Sequence, residues 1–231
     1  MKLISWNCKK YYSSKAEYIL LEKPDIVIVP ECEHRDLLNF ENDSLKPTDT
    51  IWFGDPGEDR GIGVFSYSNY KIRLLDIHNL KLKYVLPIEV TNEDFTFILL
   101  AVWTHQTYTK QIWDAIKYYS DLLNGNIIIA GDFNSNSIWD ATNKSNSHSD
   151  LVKHLESKKL FSLYHLFTNE LQGKETTPTF YWYHHENKPF HIDYCFASTY
   201  FIDRLLNFEI GKFKYWSKYS DHMPLTITFS T

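Results

Sequence analysis

The stretch Gly131-Asp132-Phe133-Asn134 places a carboxylate and a carboxamide two positions apart, directly after the apolar run Asn126-Ile127-Ile128-Ile129-Ala130. The run is mostly β-branched and reads as a buried strand. Side chains two apart on a strand share a face, so Asp132 and Asn134 can act together. Such a pair can orient a water and hold a phosphoryl oxygen or a cation. Other polar residues stand at similar apolar-to-polar transitions: Asn7 after Trp6, Glu31 after Pro30, His105 after Trp103-Thr104, Asp193 in His191-Ile192-Asp193-Tyr194, and Asp221-His222 in Ser220-Asp221-His222-Met223-Pro224. If these strand ends meet at one edge, they form an acidic pocket containing two histidines.

The elements that must position them can be read coarsely. Lys2 to Trp6 is strand-like. Ser14 and Glu17 suggest a capping box before Tyr18-Ile19-Leu20-Leu21, with Pro24 stopping that helix. Asp25 to Val29 is a second buried strand ending at Pro30-Glu31. From Ile51 to Phe97 the pattern is strands joined by short turns: Gly61 to Tyr67, Lys71 to Ile77, Tyr84 to Val90 and Phe95 to Trp103, with Asn92-Glu93-Asp94 as a hairpin turn. Ile112, Ile116, Tyr119 and Leu123 recur at helical spacing, and Asn124-Gly125 supplies a stop. After the strand before Asp132 come a Ser/Asn-rich loop, Ser135 to Ser147, and a helix near Asp150 to Lys158. The remainder is strand-like: Thr179 to Tyr183, His191 to Ala197, Leu205 to Ile210 and Pro224 to Phe229. Two strand-rich halves flanked by helices predict an α/β (α+β) four-layered sandwich of two packed, mostly antiparallel sheets, as a single domain over 1–231.

Composition narrows the function classes. With 43% hydrophobic and 23% charged residues in 231, the chain has the balance of a globular enzyme rather than a disordered segment. A net charge of −5 argues against non-specific, high-affinity binding of duplex DNA, which needs a basic field. Cys8, Cys32 and Cys195 are too few and too scattered for a disulfide framework or a zinc site, so buried filler is the expected role. No apolar run approaches the ~20 residues of a membrane span, and Met1-Lys2-Leu3-Ile4 does not open as a secretory leader. The expectation is a cytoplasmic monomer without membrane insertion.

Taken in order, Trp6-Asn7, Glu31, His105, Gly131-Asp132-Phe133-Asn134, His191-Ile192-Asp193-Tyr194 and Ser220-Asp221-His222-Met223-Pro224 resemble the motifs of the endonuclease/exonuclease/phosphatase superfamily. Its branches include pancreatic-type deoxyribonucleases, apurinic/apyrimidinic endonucleases, sphingomyelinases and inositol polyphosphate 5-phosphatases. The resemblance runs from residue 6 to residue 224. It implies the four-layered sandwich and a divalent cation, Mg²⁺ with Mn²⁺ as substitute. It also implies Glu31 as principal metal ligand with Asn7 and Asp221 nearby, and Asp132 to activate water. Asn134 would hold a phosphate oxygen, His222 would contact the scissile phosphate, Asp193 would orient His222, and His105 would act as a second donor. Lys9 stands where apurinic/apyrimidinic endonucleases carry an acid and where the pancreatic branch has a basic residue. His105 likewise matches the pancreatic branch and the sphingomyelinases. Pro30 replaces the Gln often found before the metal-binding Glu.

The remaining candidates are weaker. Lys9 and Arg60 are candidate phosphate contacts. Trp182 matches a region where relatives place an aromatic near the site, and Trp139, a large aromatic in a polar loop, has no obvious core to fill. Adjacent His184 and His185 point to opposite faces on a strand and cannot readily chelate one ion, so that segment is expected to be a polar hairpin tip. Tyr215-Trp216 could stack a nucleobase or fill the core. The leading function is a Mg²⁺-dependent phosphodiesterase, a DNA or RNA endo- or exonuclease, with nucleic acid as partner. The first alternative is hydrolysis of a small phosphoester such as a nucleotide, sugar phosphate or lipid headgroup. A remote one is a non-catalytic binding module on the same fold.

Overall fold

The computed structural model describes residues 1–55, 57–105, 109–142 and 146–230. In chain order the strands and helices are β1 Lys2–Ser5, α1 Tyr12–Leu20, β2 Ile26–Glu33, β3 Asp49–Phe53, β4 Arg60–Ser66, β5 Lys71–Leu74, β6 Val85–Thr91, β7 Thr96–Trp103, α2 Thr109–Tyr118, β8 Ile127–Asp132, α3 His148–Ser157, β9 Leu160–Ser162, α4 Leu163–Thr168, β10 Phe180–Tyr181, β11 Pro189–Phe190, β12 Asp193–Ser198, α5 Thr199–Ile202, β13 Leu205–Ile210, α6 Phe213–Trp216 and β14 Leu225–Phe229. Two six-stranded sheets form, in the orders β13-β14-β1-β2-β4-β3 and β5-β6-β7-β8-β12-β9. Each has one parallel pair at its centre, β1 with β2 and β7 with β8, and the other pairings are antiparallel. A parallel pair delivers two C-terminal ends to the same rim, and antiparallel neighbours begin there. That single rule brings Asn7, Glu31, Asp132, Asp193 and His222 to one edge.

Alternation along the strands makes the layers. Leu3, Ile28, Val64, Leu86, Leu99, Ile128 and Ile227 face the core between the sheets. Their neighbours Ile4, Val27 and Val29 face the opposite way, against Tyr12, Ala16, Ile19 and Trp216. On the other side Leu100, Val102, Ile127 and Ile129 pack under Ile112, Ile116, Leu151 and Leu155 of α2 and α3. The result is helix, sheet, sheet, helix, the predicted sandwich. Among the described residues no helix is long and apolar enough to cross a membrane. Cys8, Cys32 and Cys195 are free and buried, as filler.

Several local expectations are corrected. The Ser14/Glu17 capping box does not form: α1 begins at Tyr12, before Ser14, and its N-cap Tyr11 offers no side-chain hydrogen bond. The buried Glu33 carboxylate caps it instead from β2, accepting from the Tyr12 and Ser13 N–H groups at 2.6 and 2.7 Å. A long-range cap satisfies the orphan donors that a local one would, and sequence spacing cannot show it. The strand at Lys71 stops at Leu74, and the helical repeat through Leu123 is an α-helix only to Tyr118, then a 3₁₀ turn at Ser120–Asn124. The 135–147 loop holds a 3₁₀ turn, Ser137–Thr142, and residues 143–145 of it lie outside the described residues. A capping box does occur at α3, between Ser147 and Asp150.

Gly131 has φ of 145°, and a Cβ there would lie 1.9 Å from the Val102 carbonyl oxygen on β7, so only glycine permits this close approach of strands just before Asp132. Replacing Glu33 with Gln leaves one of two buried amide donors without its acceptor. Urea unfolding should show a loss of about 2 kcal/mol, and a loss below about 0.5 kcal/mol would contradict the capping role. His148 is buried, and burial depresses its pKa from 6.5 to about 4. The unfolded chain binds that proton first, so stability should fall as pH drops from 6.5 towards 4, by about 3 kcal/mol from this residue. Comparing the pH dependence of unfolding in His148→Gln and wild type isolates the contribution; equal slopes would remove it.

Candidate active site

The rim is built residue by residue from strand ends. Asn7 leaves β1 buried, held by its own backbone: the Ser220 hydroxyl donates to the Asn7 carbonyl at 2.7 Å and accepts from the His222 N–H at 3.1 Å. The Asn7 carboxamide nitrogen lies 3.0 Å from Asp132 Oδ2, 3.2 Å from Glu31 Oε1 and 3.4 Å from His222 Nε2. One NH₂ group therefore stands between two carboxylates and an imidazole. Glu31 reaches it because β2 carries a bulge between Val29 and Cys32, and Glu31 itself has φ of 53°. The bulge turns the side chain to the rim.

Asp132 is fully buried and accepts three hydrogen bonds: from Asn7, from the Asn134 N–H at 2.9 Å and from the Asn134 amide at 2.9 Å. Asn134 does not sit on the strand as alternation predicts. β8 ends at Asp132, and a φ of 47° folds Asn134 back so that backbone and side chain both clasp the carboxylate. Asparagine tolerates that conformation through its short polar side chain. The same amide donates to the Thr104 carbonyl at 2.9 Å, while the Thr104 N–H donates to the Asp132 carbonyl at 2.9 Å.

Opposite Asp132, His222 Nδ1 lies 2.9 Å from Asp193 Oδ2, and His222 Nε2 lies 4.0 Å from Asp132 Oδ2. Asp193 is fixed through its N–H, donated to the Thr179 hydroxyl at 3.0 Å. Phe180 lies against the imidazole, ring centres 4.5 Å apart. Burial opposes the His222 imidazolium, but the charges of Asp193 and Asp132 outweigh it and raise its pKa to about 10. Burial, and then the charge of Asp193, push the Asp132 carboxyl upward. Asp221 stands beside this pair with Lys9 Nζ at 2.7 Å from its carboxylate. Burial raises it, but His222 and Lys9 hold it below the usual carboxylate range.

A divalent cation is implied by the acids, and their chemistry fits one. Among the described residues, Asp132, Asp193 and His222 offer ligand atoms within 4.8 Å of one another. Two of those three are already committed to each other, however, and the partly exposed Glu31, sharing the Asn7 amide with Asp132, is the better anchor. Glu31, Asn7 and Asp221 would offer a divalent cation carboxylate and amide oxygens, the donors that a hard ion prefers. Cations of the chain stand beside these acids: Arg60 Nη1 lies 2.5 Å from Glu31 Oε2, and Lys9 Nζ lies 2.7 Å from Asp221 Oδ2.

Other candidates fall around this centre. His105 is exposed and, among the described residues, takes no part in the hydrogen-bond cluster; its ring lies 5.3 Å from Trp103, which also contacts Tyr84 and Arg60. Trp139 and Trp182 line one cavity that also includes Asn134. His184 sits at the tip beyond β10, its Nε2 3.3 Å from Lys9 Nζ. Trp216 is core, packed on Trp6 at 5.0 Å, which settles the Tyr215-Trp216 choice for that residue. Sequence reading passed over Thr104, Thr179, Ser220 and Phe180 as site residues, although each lies within a few positions of a motif or inside a predicted strand.

Solved structures share the fold. An AP endonuclease from Archaeoglobus fulgidus has a TM-score of 0.72 at 16% identity, with 100% of each chain covered. The endonuclease domain of TRAS1, a telomere-specific non-LTR retrotransposon, gives 0.69 at 14% identity, covering 100% of this chain and 98% of that one. A 3′-5′ exonuclease (NExo) from Neisseria meningitidis gives 0.68 at 16%, again with 100% of each covered. Sequence comparison with curated proteins gives no match. Agreement at the level of a family model goes further than shape: it extends over residues 4–222, and the chain belongs to the Endonuclease/Exonuclease/phosphatase family.

Proposed function

We propose that this chain is a divalent-metal-dependent phosphodiesterase that cleaves nucleic acid by attack of water on phosphorus. The observation that carries the reading is the facing pair across the rim, Asp132 on one side and the Asp193-oriented His222 on the other, 4.0 Å apart. An oxygen atom beside them can touch both groups, the arrangement that acid–base chemistry on a phosphoester requires. The neighbours described as acting on DNA, including a Neisseria 3′ phosphatase bound to a product DNA hairpin (TM-score 0.66, 15% identity), support nucleic acid as substrate.

The roles follow from position. Asp132, its pKa pushed upward by burial and Asp193, takes a proton from the attacking water, while Asn7 and Asn134 keep its oxygens aimed. His222 presents Nε2 as an imidazolium donor to a phosphoryl oxygen, with Asp193 holding its ring and favouring its charge. Glu31, with Asn7 and Asp221, would hold the cation, which when bound neutralises charge on the phosphoryl and leaving oxygens. Arg60 and Lys9 stand at the edge of the site as phosphate contacts, and His105 is a more distant donor.

The net charge of −5 favours a second reading, a small phosphoester substrate, because long-range attraction to a polyanion is weak. Salt separates the two: cleavage of a polymer should weaken steeply with ionic strength, and a small substrate much less.

Asp132→Asn, His222→Gln and Glu31→Gln should each lower Mg²⁺-dependent cleavage of DNA or RNA by about 100- to 10,000-fold. Retention of full activity by all three would sink the assignment. In the absence of substrate, Mg²⁺ at a hundredfold over its Kd should stabilise the wild type by about 2.7 kcal/mol, a Tm rise of about 5–10 °C for a domain of this size. Glu31→Gln should lose most of that rise, and an equal rise in both would remove Glu31 from the ion's ligands.

A further inference from the structure

The stretch from Lys212 to Tyr219 carries three lysines and no acid, directly before Ser220-Asp221-His222. Two of its rings hold it in place: Trp216 is buried against Trp6, and Phe213 packs on Tyr181 with ring centres 4.4 Å apart. Lys212, Lys214, Tyr215 and Lys218 are left exposed. In a chain of net charge −5, a basic cluster next to the reaction centre runs against the overall balance. Its field is local.

A chain of polar contacts joins this surface to the rim. Lys9 Nζ donates to the Asp221 carboxylate at 2.7 Å and lies 3.3 Å from His184 Nε2, while His184 Nδ1 lies 2.8 Å from the Ser217 carbonyl oxygen. A carbonyl only accepts, so Nδ1 carries the His184 proton and Nε2 is left to accept from the Lys9 ammonium. Lys218 follows Ser217 at once, with its ammonium 4.7 Å from the ring centres of both Tyr215 and Tyr219. Ring faces hold a cation without cancelling its charge. Lys9 and Arg60 at the rim are each paired with an acid. Among the described residues, Lys212, Lys214 and Lys218 have no such partner. Lys212 and Tyr215 do share a groove with Glu22 and Glu209, so the uncompensated charge falls on Lys214 and Lys218.

We infer that Lys214 and Lys218, on either side of the exposed Tyr215, form a landing surface for the phosphate backbone of nucleic acid flanking the cleaved bond. Such contacts fix where the polymer lies and carry no sequence information. An interfacial membrane site would set apolar side chains around the lysines, whereas here Trp216 and Phe213 turn to the body of the protein. The inference rests on the nuclease reading and names the surface that grips its substrate away from the reaction centre.

The test measures binding of the Asp132→Asn protein, with Mg²⁺, to a labelled strand and a labelled duplex of about 20 nucleotides as salt rises from about 50 to 200 mM. Replacing both lysines, Lys214→Gln with Lys218→Gln, removes two phosphate contacts. The slope of log affinity against log salt should flatten by about 1.4 on the strand and about 1.8 on the duplex, roughly a tenfold smaller loss of affinity across that range. Lys214→Arg with Lys218→Arg keeps the charge and should keep the slope, which separates charge from a folding defect. With Asp132 intact, the glutamine pair should raise KM for the long strand severalfold, leave kcat unchanged and leave hydrolysis of bis-para-nitrophenyl phosphate as it was. An unchanged slope, or an equal deficit on the small diester, would overturn the inference. An unchanged slope accompanied by lost binding to phosphatidylserine vesicles would assign the surface to a membrane instead. Wild-type protein distinguishes the two levels: cleavage of the strand or duplex together with an unchanged slope in the glutamine pair rejects only the surface, whereas cleavage of neither rejects the nuclease reading.

Discussion

Two hydrogen-bonded pairs cross from one sheet to the other at the rim, and the rest of the site depends on them. Asn7, at the end of β1, donates to Asp132 of β8, and His222, just before β14, meets Asp193 of β12. All four side chains are buried. A carboxylate out of water must be paired or hydrogen-bonded, because leaving it bare costs several kcal/mol. The sheets can close at this rim only if the partners arrive together. Burial thus does two jobs, locking the register between the layers and setting the charge states that phosphoester chemistry needs.

Backbone strain gathers around the same rim. Lys9, Lys10 and Tyr11 form a consecutive left-handed turn, Glu31 and Asn134 have positive φ, and Tyr183 and His184 do so at the hairpin tip. Such conformations cost of order 1–3 kcal/mol each and persist only where the surroundings over-determine them. The surroundings are visible. The Lys15 ammonium donates to three carbonyls, those of Cys8, Lys10 and Tyr219, at 2.6, 3.0 and 2.8 Å. It pins the left-handed turn to the segment that carries Asp221 and His222. The Lys10 N–H donates in turn to the Glu31 carbonyl at 3.0 Å.

Much of this was legible in the residues, for reasons that differ by element. The unbroken apolar run Ile127–Ala130 reports a strand buried on both faces, the 3.6-residue repeat from Ile112 reports a helix buried on one, and burial is what tertiary structure enforces. The ordered acids, amides and imidazoles at strand ends were readable because parallel strands must expose their ends together. What escaped were contacts between residues far apart in sequence. Glu33 capping α1 from a strand leaves no local signature, while the local Ser14/Glu17 pattern suggested a cap that does not exist. The bulge at Glu31 and the turn at Asn134 were hidden too, since neither residue is the glycine that usually marks positive φ. Asn134 reached Asp132 by folding back rather than by strand alternation.

The strand order of the first sheet carries a consequence for how the molecule comes into being. β1 lies between β2 and β14, and the Trp6 indole donates to the carbonyl of His222, 216 positions away. A chain emerging from the ribosome can pair β5 through β8 early, yet β1 keeps an unpaired edge until β14 emerges. Pairings this distant in sequence form late and slowly. The nascent protein therefore carries Asn7, Glu31 and Asp132 without the imidazole that faces them. No fragment ending before His222 contains the imidazole that faces Asp132, so the rim assembles only once β14 and the segment before it are in place.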